Sequence, residues 1–181
     1  REINKLFDHS QLESSLSLIS SSNLAIKDNY DFTGLKVLLV EDVVMNQELA
    51  KEILSKQGML VAVANNGQEG VEKTQKGQFD FILMDMQMPV MDGCDATIAI
   101  REFNQTIPII AMTANAMTED KEKCFASGMN DYITKPINPN ELFAAIVRRV
   151  EGIKSKDDSA TNKETKDSTN YEPESSLQNE T

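Results

Sequence analysis

Five polar side chains that can take part in chemistry stand at the ends of short predicted strands. They are Glu41, Asp42, Asp85, Thr113 and Lys135. The segment 81–84 that precedes Asp85 is continuously apolar and bounded by polar residues, which is typical of a strand buried on both faces of a parallel sheet. Parallel strands end at one edge of a sheet, where open α/β sheets bind ligands, so we expect the five side chains to converge there.

The chemistry that these residue types support is phosphoryl transfer beside a divalent cation. Three clustered carboxylates repel one another, and Mg²⁺, which binds through few carboxylates and keeps several waters, removes that conflict. An aspartate held in line with a phosphorus atom is a competent nucleophile that forms an acyl phosphate. Such transfer needs mainly positioning and charge neutralisation, and Mg²⁺, the Lys135 ammonium and the Thr113 hydroxyl can each serve one phosphoryl oxygen.

Each of these residues also has an ordinary structural explanation when it is considered alone. Asp85 heads a loop, because Pro89 and Gly93 give the following segment turn chemistry, and on its own it can simply cap that segment. Thr113 can be a strand-end hydroxyl, and Lys135 can be a solvated charge. The coincidence of all five residues at the ends of four strands favours a functional site.

Five predicted strands alternate with five predicted helices over residues 35–150. The strands are expected at 36–40, 60–64, 81–84, 109–112 and 131–134. The helices are expected between Met45 and Gly58, after the turn at 65–67 through Gln75, from about Cys94 to Phe103, from about Met117 to Ser127, and from Asn140 to about Val150. This alternation predicts an α/β fold: a doubly wound five-stranded parallel sheet in the flavodoxin-like order 2-1-3-4-5, with helices on both faces.

Apolar spacing predicts one apolar face for three of these helices. In the first helix Met45, Leu49 and Ile53 repeat every four residues, as in an amphipathic helix. The apolar side of the third helix consists of Ala96, Ala99, Ile100 and Phe103, and that of the last helix consists of Leu142, Phe143, Ile146, Val147 and Val150. We expect these faces to pack against the sheet.

Composition excludes several classes of function. The chain of 181 residues has a formal net charge of −11, which argues against direct nucleic-acid binding. No apolar run approaches the ~20 residues of a membrane span, so we expect no membrane contact by this chain itself. His9 is the only histidine, a glycine-rich phosphate loop is absent, and the two cysteines lack metal-ligand spacing. Because two unpaired cysteines and no secretory pattern suit a reducing compartment, we expect a cytoplasmic protein.

The two ends of the chain differ in composition from its middle. Residues 1–34 are rich in serine and show little periodicity, and residues 151–181 are polar with an acidic excess. We predict a linker or the end of a preceding domain at 1–34, one domain at 35–150 and a disordered acidic tail at 151–181. The chain does not begin with Met, which indicates a fragment of a longer protein.

Four segments resemble the signature segments of the receiver domain of two-component response regulators. They are VLLVED at 37–42, ILMDMQMPVMDG at 82–93, MTANA at 112–116 and KP at 135–136. The resemblance covers about residues 35–150. The segments MDMQMPVMDG at 84–93 and MTANA at 112–116, together with Asn46 and Gln47, make it most similar to the C-terminal receivers of hybrid sensor histidine kinases. Val43 departs from the pattern, since such receivers often have a polar residue there. This departure alters the polarity of the site without removing a required group.

The resemblance implies the following roles at the acidic site. Asp85 accepts a phosphoryl group from a phosphohistidine on a partner protein. Asp42, Asp85 and the backbone carbonyl of Gln87 bind Mg²⁺, and Glu41 assists through water. Gln87 and Asn115 influence how fast water removes the phosphoryl group.

It also implies how the domain responds to phosphorylation. Lys135 pairs with the phosphoryl group, and its peptide bond to Pro136 is cis, an isomer that is rare outside X-Pro. Thr113 swings toward the phosphoryl group, and Tyr132 turns inward with it; without the resemblance, Tyr132 is an ordinary half-buried strand aromatic. The face formed by the fourth helix, the fifth strand and the fifth helix then carries the change to partners. Such a receiver promotes its own phosphorylation and dephosphorylation but has no kinase core.

The partners implied are a histidine kinase, a histidine phosphotransfer protein, or both. Residues 1–34 and 151–181 leave room for neither a DNA-binding nor a catalytic domain, so output is expected to pass to another protein. The linker-like start indicates that a kinase, which can be membrane-anchored, precedes residue 1. The alternatives are a receiver fold that only docks and is never phosphorylated, or a stand-alone single-domain response regulator. An aspartate-nucleophile phosphatase would have a second acid two residues after Asp85, where Gln87 stands.

Overall fold

The computed structural model describes residues 29–114 and 118–155. The main strands are β1 Lys36–Val40, β2 Leu60–Ala64, β3 Phe81–Asp85, β4 Ile109–Thr113 and β5 Asp131–Thr134. The helices of these residues are α1 Val44–Ser55, α2 Gly67–Lys76, α3 Gly93–Phe103, α4 Thr118–Ser127 and α5 Pro139–Arg149. All neighbouring pairs of the five strands are parallel, in the order β2-β1-β3-β4-β5. The predicted doubly wound fold is confirmed.

Side chains alternate along each strand, so each strand points residues to both faces of the sheet, and helices cover both faces. Leu39 and Leu83 lie in the core cluster that also contains residues of α1 and α5. Leu38 and Ile82 lie in the other cluster, with residues of α2, α3 and α4. Every residue of the central strand β3 is buried. Asp85 is the last residue of this strand, so its side chain lies at the carboxyl edge of the sheet.

Local hydrogen bonds determine where three of the helices begin. The side chain of Asn66 accepts a bond from the backbone N–H of Glu69 at 2.9 Å, and that of Asp92 accepts one from Asp95 at 2.9 Å. Asn138 caps α5 in the same way. These side chains satisfy backbone donors that have no partner in the first helical turn.

Gly93, the first residue of α3, lies directly against the backbone of Asp85. A Cβ atom at position 93 would lie 2.2 Å from the carbonyl oxygen of Asp85. Only glycine permits this approach. The backbone N–H of Gly93 also donates to the carbonyl of Met86 at 3.2 Å. Helix α3 is thereby held close to the loop that follows β3.

The predicted buried face of α1 is wrong. Met45 is 78% exposed and Leu49 is 46% exposed, while Ile53 is only partly buried. The buried side of the helix is formed by a different set, Gln47, Ala50 and Leu54. A four-residue repeat identifies an apolar stripe but does not determine which side of the helix faces the sheet. Here a small residue and a hydrogen-bonded amide occupy the side that packs closely.

The apolar faces of α3 and α5 are largely as predicted. In α3, Ala96 and Ile100 are fully buried, but Phe103 is 43% exposed, which contradicts its predicted place in the core. Phe103 is the last residue of α3, so its ring reaches the surface at the helix end. In α5 the side facing the sheet includes buried Leu142, Phe143 and Ile146.

The described packing extends beyond residues 35–150 at both ends. Phe32 is 1% exposed, and its ring centroid lies 5.2 Å from that of Phe143. The short strand Tyr30–Asp31 pairs antiparallel with Lys154–Ser155. Residues 1–28 and 156–181, which make up most of the predicted linker and tail, lie outside the described residues. The division into linker, domain and tail stays a prediction.

Candidate functional site

The structure brings the three predicted acids together at the carboxyl edge of the sheet. Glu41 and Asp42 follow β1, and Asp85 ends β3. One ligand oxygen from each lies within 4.8 Å of the others. Glu41 is 1% exposed and Asp85 is 4% exposed, whereas Asp42 is half-buried. The convergence follows from parallel strands ending at a common edge.

Lys135 joins two of these acids. Its Nζ atom lies 2.7 Å from Oε2 of Glu41 and 2.8 Å from Oδ2 of Asp85. Burial lowers the pKa of Lys135, but hydrogen bonds and charge attraction from Asp85 and Glu41 outweigh burial and raise that pKa above its usual value. The ammonium therefore stays protonated between the two carboxylates.

Asp85 is held in an environment that disfavours its charged form. Burial raises the pKa of this carboxyl, and the negative charge of Glu41 adds to the increase, although Lys135 and the backbone N–H of Gln87 oppose it. That N–H donates to Oδ1 of Asp85 at 3.2 Å. Burial, with the charge of Glu41 added to it, therefore outweighs the stabilisation that Lys135 and Gln87 give to the charged form, and the pKa of Asp85 is raised.

Two α1 residues position Glu41. The Asn46 side chain donates to Oε1 of Glu41 at 2.9 Å. The Gln47 side chain donates to the backbone carbonyl of Glu41 at 2.6 Å and to Oδ1 of Asn65 at 3.1 Å. This role of Asn46 and Gln47 was not predicted from the sequence, where the two residues contribute only to a resemblance. The sequence carries no local signal for it, because Gln47 is not part of the apolar stripe that the sequence predicts for this helix.

Thr113 lies on β4, the strand next to β3, and Tyr132 lies on β5, on the far side of β4. Thr113 ends β4 and is 4% exposed, and its backbone carbonyl accepts a hydrogen bond from the backbone N–H of Lys135 at 2.8 Å. Tyr132, in β5, is half-buried. The peptide bond between Lys135 and Pro136 is cis. Asn115 lies outside the described residues.

The residues present fit a hard divalent cation. Three carboxylates and a single ammonium leave two negative charges in excess when all are ionised. The donors are oxygens, which Mg²⁺ and Ca²⁺ prefer, and their small number suits Mg²⁺ because Mg²⁺ keeps several waters. The described geometry therefore supports a magnesium site beside a buried nucleophilic carboxylate.

A family model described as the response regulator receiver domain matches residues 37–147. The chain belongs to this receiver family. The match places the edge that carries Glu41, Asp42, Asp85 and Lys135 within a receiver domain.

Curated relatives agree with the resemblance to receivers of hybrid kinases. The receiver chain is 43% identical over 145 residues to hybrid signal transduction histidine kinase I of Dictyostelium discoideum, a match that covers 75% of this chain and 8% of that protein. The matches to hybrid signal transduction histidine kinases B and K of the same organism cover 6% and 10% of those proteins. The chain thus spans a tenth or less of these relatives.

Solved receiver structures share the fold. The receiver domain of sensor histidine kinase PA1611 from Pseudomonas aeruginosa, crystallised with magnesium coordinated in its active-site cleft, is 39% identical with a TM-score of 0.61 and covers 65% of this chain and 98% of its own. A second solved structure is the co-crystal structure of the Saccharomyces cerevisiae histidine phosphotransfer protein Ypd1 and the receiver domain of Ssk1. The match to it is 36% identical with a TM-score of 0.62 and covers 66% of this chain and 90% of that chain. Among the helices in the described part of the receiver, none is long and apolar enough to cross a membrane.

Proposed function

We propose that this receiver domain is the phosphoacceptor of a His-to-Asp phosphorelay and that Asp85 takes the phosphoryl group from a phosphohistidine on a partner. The observation that carries the proposal is the position of Lys135, with Nζ at 2.8 Å from Oδ2 of Asp85. An ammonium at this place neutralises charge beside the carboxylate that receives a dianionic group. Membership of the receiver family supports the same assignment.

In the proposed transfer, a carboxylate oxygen of Asp85 forms a bond to phosphorus while the bond between phosphorus and the donor imidazole nitrogen breaks. The electron pair of the broken bond stays on the imidazole nitrogen. Lys135, held by Glu41 and Asp85, is placed to bind a phosphoryl oxygen as charge shifts onto the new acyl phosphate. Positioning and charge neutralisation, rather than proton transfer by the protein, supply the catalysis.

We assign Asp42, Asp85 and the backbone carbonyl of Gln87 as ligands of Mg²⁺. Glu41 already accepts hydrogen bonds from Lys135 and Asn46, so we assign it a contact through water. When bound, Mg²⁺ neutralises charge on a phosphoryl oxygen. The contribution of the chain is to hold the ligand oxygens of three acids within 4.8 Å of one another.

We propose that phosphorylation shifts the population of two conformations. In the second conformation the hydroxyl of Thr113 and the ammonium of Lys135 bind the phosphoryl oxygens, and Tyr132 turns inward. The face formed by α4, β5 and α5 changes with them and carries the signal to a partner. Gln87 and Asn115 are proposed to influence hydrolysis of the acyl phosphate.

An exposed apolar patch beside the site supports a protein partner. The α1 patch consists of Val43, Val44, Met45 and Leu49, whose exposed fractions range from 46% to 78%. It begins directly after Asp42, so a protein that covers it also covers the acids. Grouped exposed apolar side chains mark interaction surfaces. We assign this patch to a histidine phosphotransfer protein or a histidine kinase, in line with the co-crystallised receiver of Ssk1 and Ypd1.

We place the domain in the cytoplasm, within a hybrid sensor histidine kinase. In that arrangement residues 1–34 link the receiver to preceding domains, residues 35–150 form the receiver and residues 151–181 form an acidic tail. Relatives that are hybrid kinases support this context. A stand-alone response regulator would require a parent protein without a kinase core.

A titration with beryllofluoride, a phosphoryl mimic, in the presence of Mg²⁺ tests the proposed function. We expect saturable changes in the NMR signals of Thr113, Lys135 and Tyr132 in the wild type and none in Asp85→Asn. The matched control is Asp95→Asn, since Asp95 is an exposed acid on α3 and its loss should leave the response intact. Absence of any response in the wild type would favour a receiver fold used only for docking.

A further inference from the structure

Two side chains of α4 contact the ring of Tyr132 from its surface side. The Nζ atom of Lys121 lies 4.7 Å from the centroid of the Tyr132 ring. The Phe125 ring meets the same ring edge-on, with centroids 6.3 Å apart and planes at 81°. The first contact is a cation over an aromatic face, and the second is a T-shaped aromatic pair, both of which are attractive.

The spacing of the two α4 residues explains why they reach one ring. Residues 121 and 125 are four apart, so they lie on the same side of the helix. Phe125 is 48% exposed and Lys121 is half-buried, so this side of α4 borders the solvent. We call Lys121 and Phe125 the α4 clamp.

The ring that the α4 clamp contacts belongs to the same sheet face as Thr113. Tyr132 is the register partner of Ala111 and packs against the core on the side of α2, α3 and α4. Ala111 lies in that same core, and Thr113 follows it by two residues on β4, so alternation places Thr113 on the same face. The α4 clamp therefore contacts an aromatic ring that lies on the same face of the sheet as Thr113.

We infer that Lys121 and Phe125 are positioning residues that favour the half-buried orientation of Tyr132 and oppose its inward turn. The inference rests on the proposed function, because the turn is part of the proposed switch. An inward turn moves the ring away from two side chains at the surface, so both contacts weaken. The α4 clamp thus sets how much phosphoryl binding is needed to shift the domain to its second conformation.

Tyrosine NMR tests this inference, since the chain has three tyrosines and no tryptophan. Ring-labelled tyrosine in a Tyr30→Phe and Tyr171→Phe background leaves Tyr132 as the single reporter. In the absence of beryllofluoride, we expect Lys121→Met and Phe125→Leu to shift the Tyr132 ring signals. Lys121→Arg, which keeps the cation, should restore the wild-type signals. The control is Lys76→Met, an exposed lysine on α2.

The same variants test the effect on the switch. With Mg²⁺ present, the beryllofluoride concentration that gives half of the full change should fall by about two- to fivefold in Lys121→Met, the size expected for one cation–π contact. Lys121→Arg and Lys76→Met should match the wild type. Amide spectra confirm that each variant is folded, and if Phe125→Leu is not, the pair of Lys121 variants decides.

Two results would overturn the inference: unchanged Tyr132 signals in Lys121→Met, or a half-saturating concentration that does not fall in that variant. A wild type that shows no response to beryllofluoride would contradict the proposed function and, with it, the role of the clamp in switching. The ring signals measured without beryllofluoride would then still show whether Lys121 orients Tyr132, so the two failures are distinguishable.

Discussion

The Nζ atom of Lys135 lies 2.8 Å from Oδ2 of Asp85, which joins the end of β5 to the end of β3 across β4. The same ammonium lies 2.7 Å from Glu41. One cation therefore neutralises charge on two buried acids, and removal of either carboxylate charge leaves the cation to pair with the other acid alone.

Replacing Lys135 by Met should destabilise the fold by about 1–3 kcal/mol in the absence of Mg²⁺, because two buried carboxylates lose their shared cation. Added Mg²⁺ should recover part of that loss by restoring positive charge. Urea unfolding of wild type and variant, with and without Mg²⁺, measures both effects. Lys76→Met, on the exposed surface of α2, should change stability by about 0.5 kcal/mol or less. An equal loss with and without Mg²⁺ would contradict the prediction.

Replacing Asp42 by Asn should weaken Mg²⁺ binding while leaving the contact between Lys135 and Asp85 in place. A ligand that binds only the folded state at 100 times its Kd adds about 2.7 kcal/mol to stability. At a Mg²⁺ concentration that saturates the wild type, most of this gain should be absent in Asp42→Asn. Thermal unfolding with increasing Mg²⁺ measures it, with Asp95→Asn as control. A full gain in Asp42→Asn would remove Asp42 from the proposed ligands.

The convergence of the acids and the lysine was predictable because it follows from topology. The strands that precede Asp42, Asp85 and Lys135 are parallel, and the last residues of parallel strands lie at one edge of the sheet. Helix periodicity was less informative. Met45 and Leu49 have the spacing of a core face but are exposed, because helix orientation depends on tertiary packing that a periodic pattern does not contain.

Contacts between residues distant in sequence account for what the sequence did not predict. Phe32 stands among polar neighbours with no periodic pattern, yet it packs against Phe143 of α5. Gln47 is a polar residue whose burial depends on its bonds to Glu41 and Asn65. The contact between Lys121 and Tyr132 requires the relative position of α4 and β5. None of these pairings has a local sequence signal.

The exposure of the α1 patch predicts that different residues of α1 support the stability of the fold and the recognition of a partner. Met45→Ala should change the free energy of unfolding by about 0.5 kcal/mol or less, whereas Leu54→Ala, at a fully buried position, should lower it by about 2–5 kcal/mol. The double variant of Met45 and Leu49 to Ala should slow phosphoryl transfer from a histidine phosphotransfer protein but not from acetyl phosphate. Equal slowing with both donors would contradict a docking role for the patch.

Asp131 should make the stability of the domain depend on pH in acid. Its Oδ2 atom lies 3.1 Å from Arg148 and 3.0 Å from Arg149. Burial raises the pKa of this carboxyl, but the bonds to Arg148, the backbone N–H of Tyr132 and Arg149 outweigh burial and lower that pKa below its ordinary value of 3.8.

Because the folded pKa is the lower one, Asp131 contributes stability above pH 3.8, and this contribution is lost as pH falls through the folded pKa. Asp131→Asn should therefore cost about 1–3 kcal/mol at neutral pH. The cost should shrink as acid protonates the wild-type carboxyl. Urea unfolding of the wild type and Asp131→Asn, from neutral pH to below pH 3.8, measures the difference in their free energies of unfolding. A cost that stays constant into acid would exclude the proposed linkage.

Phosphoryl transfer to Asp85 is the central claim, and mass spectrometry of the intact chain after incubation with acetyl phosphate and Mg²⁺ tests it most directly. The wild type and the Asp95→Asn control should gain one phosphoryl group, bound through an acyl phosphate that hydroxylamine removes. Asp85→Asn should gain none, and chelation of Mg²⁺ should abolish the gain in the wild type. Retention of the phosphoryl group by folded Asp85→Asn would contradict the account.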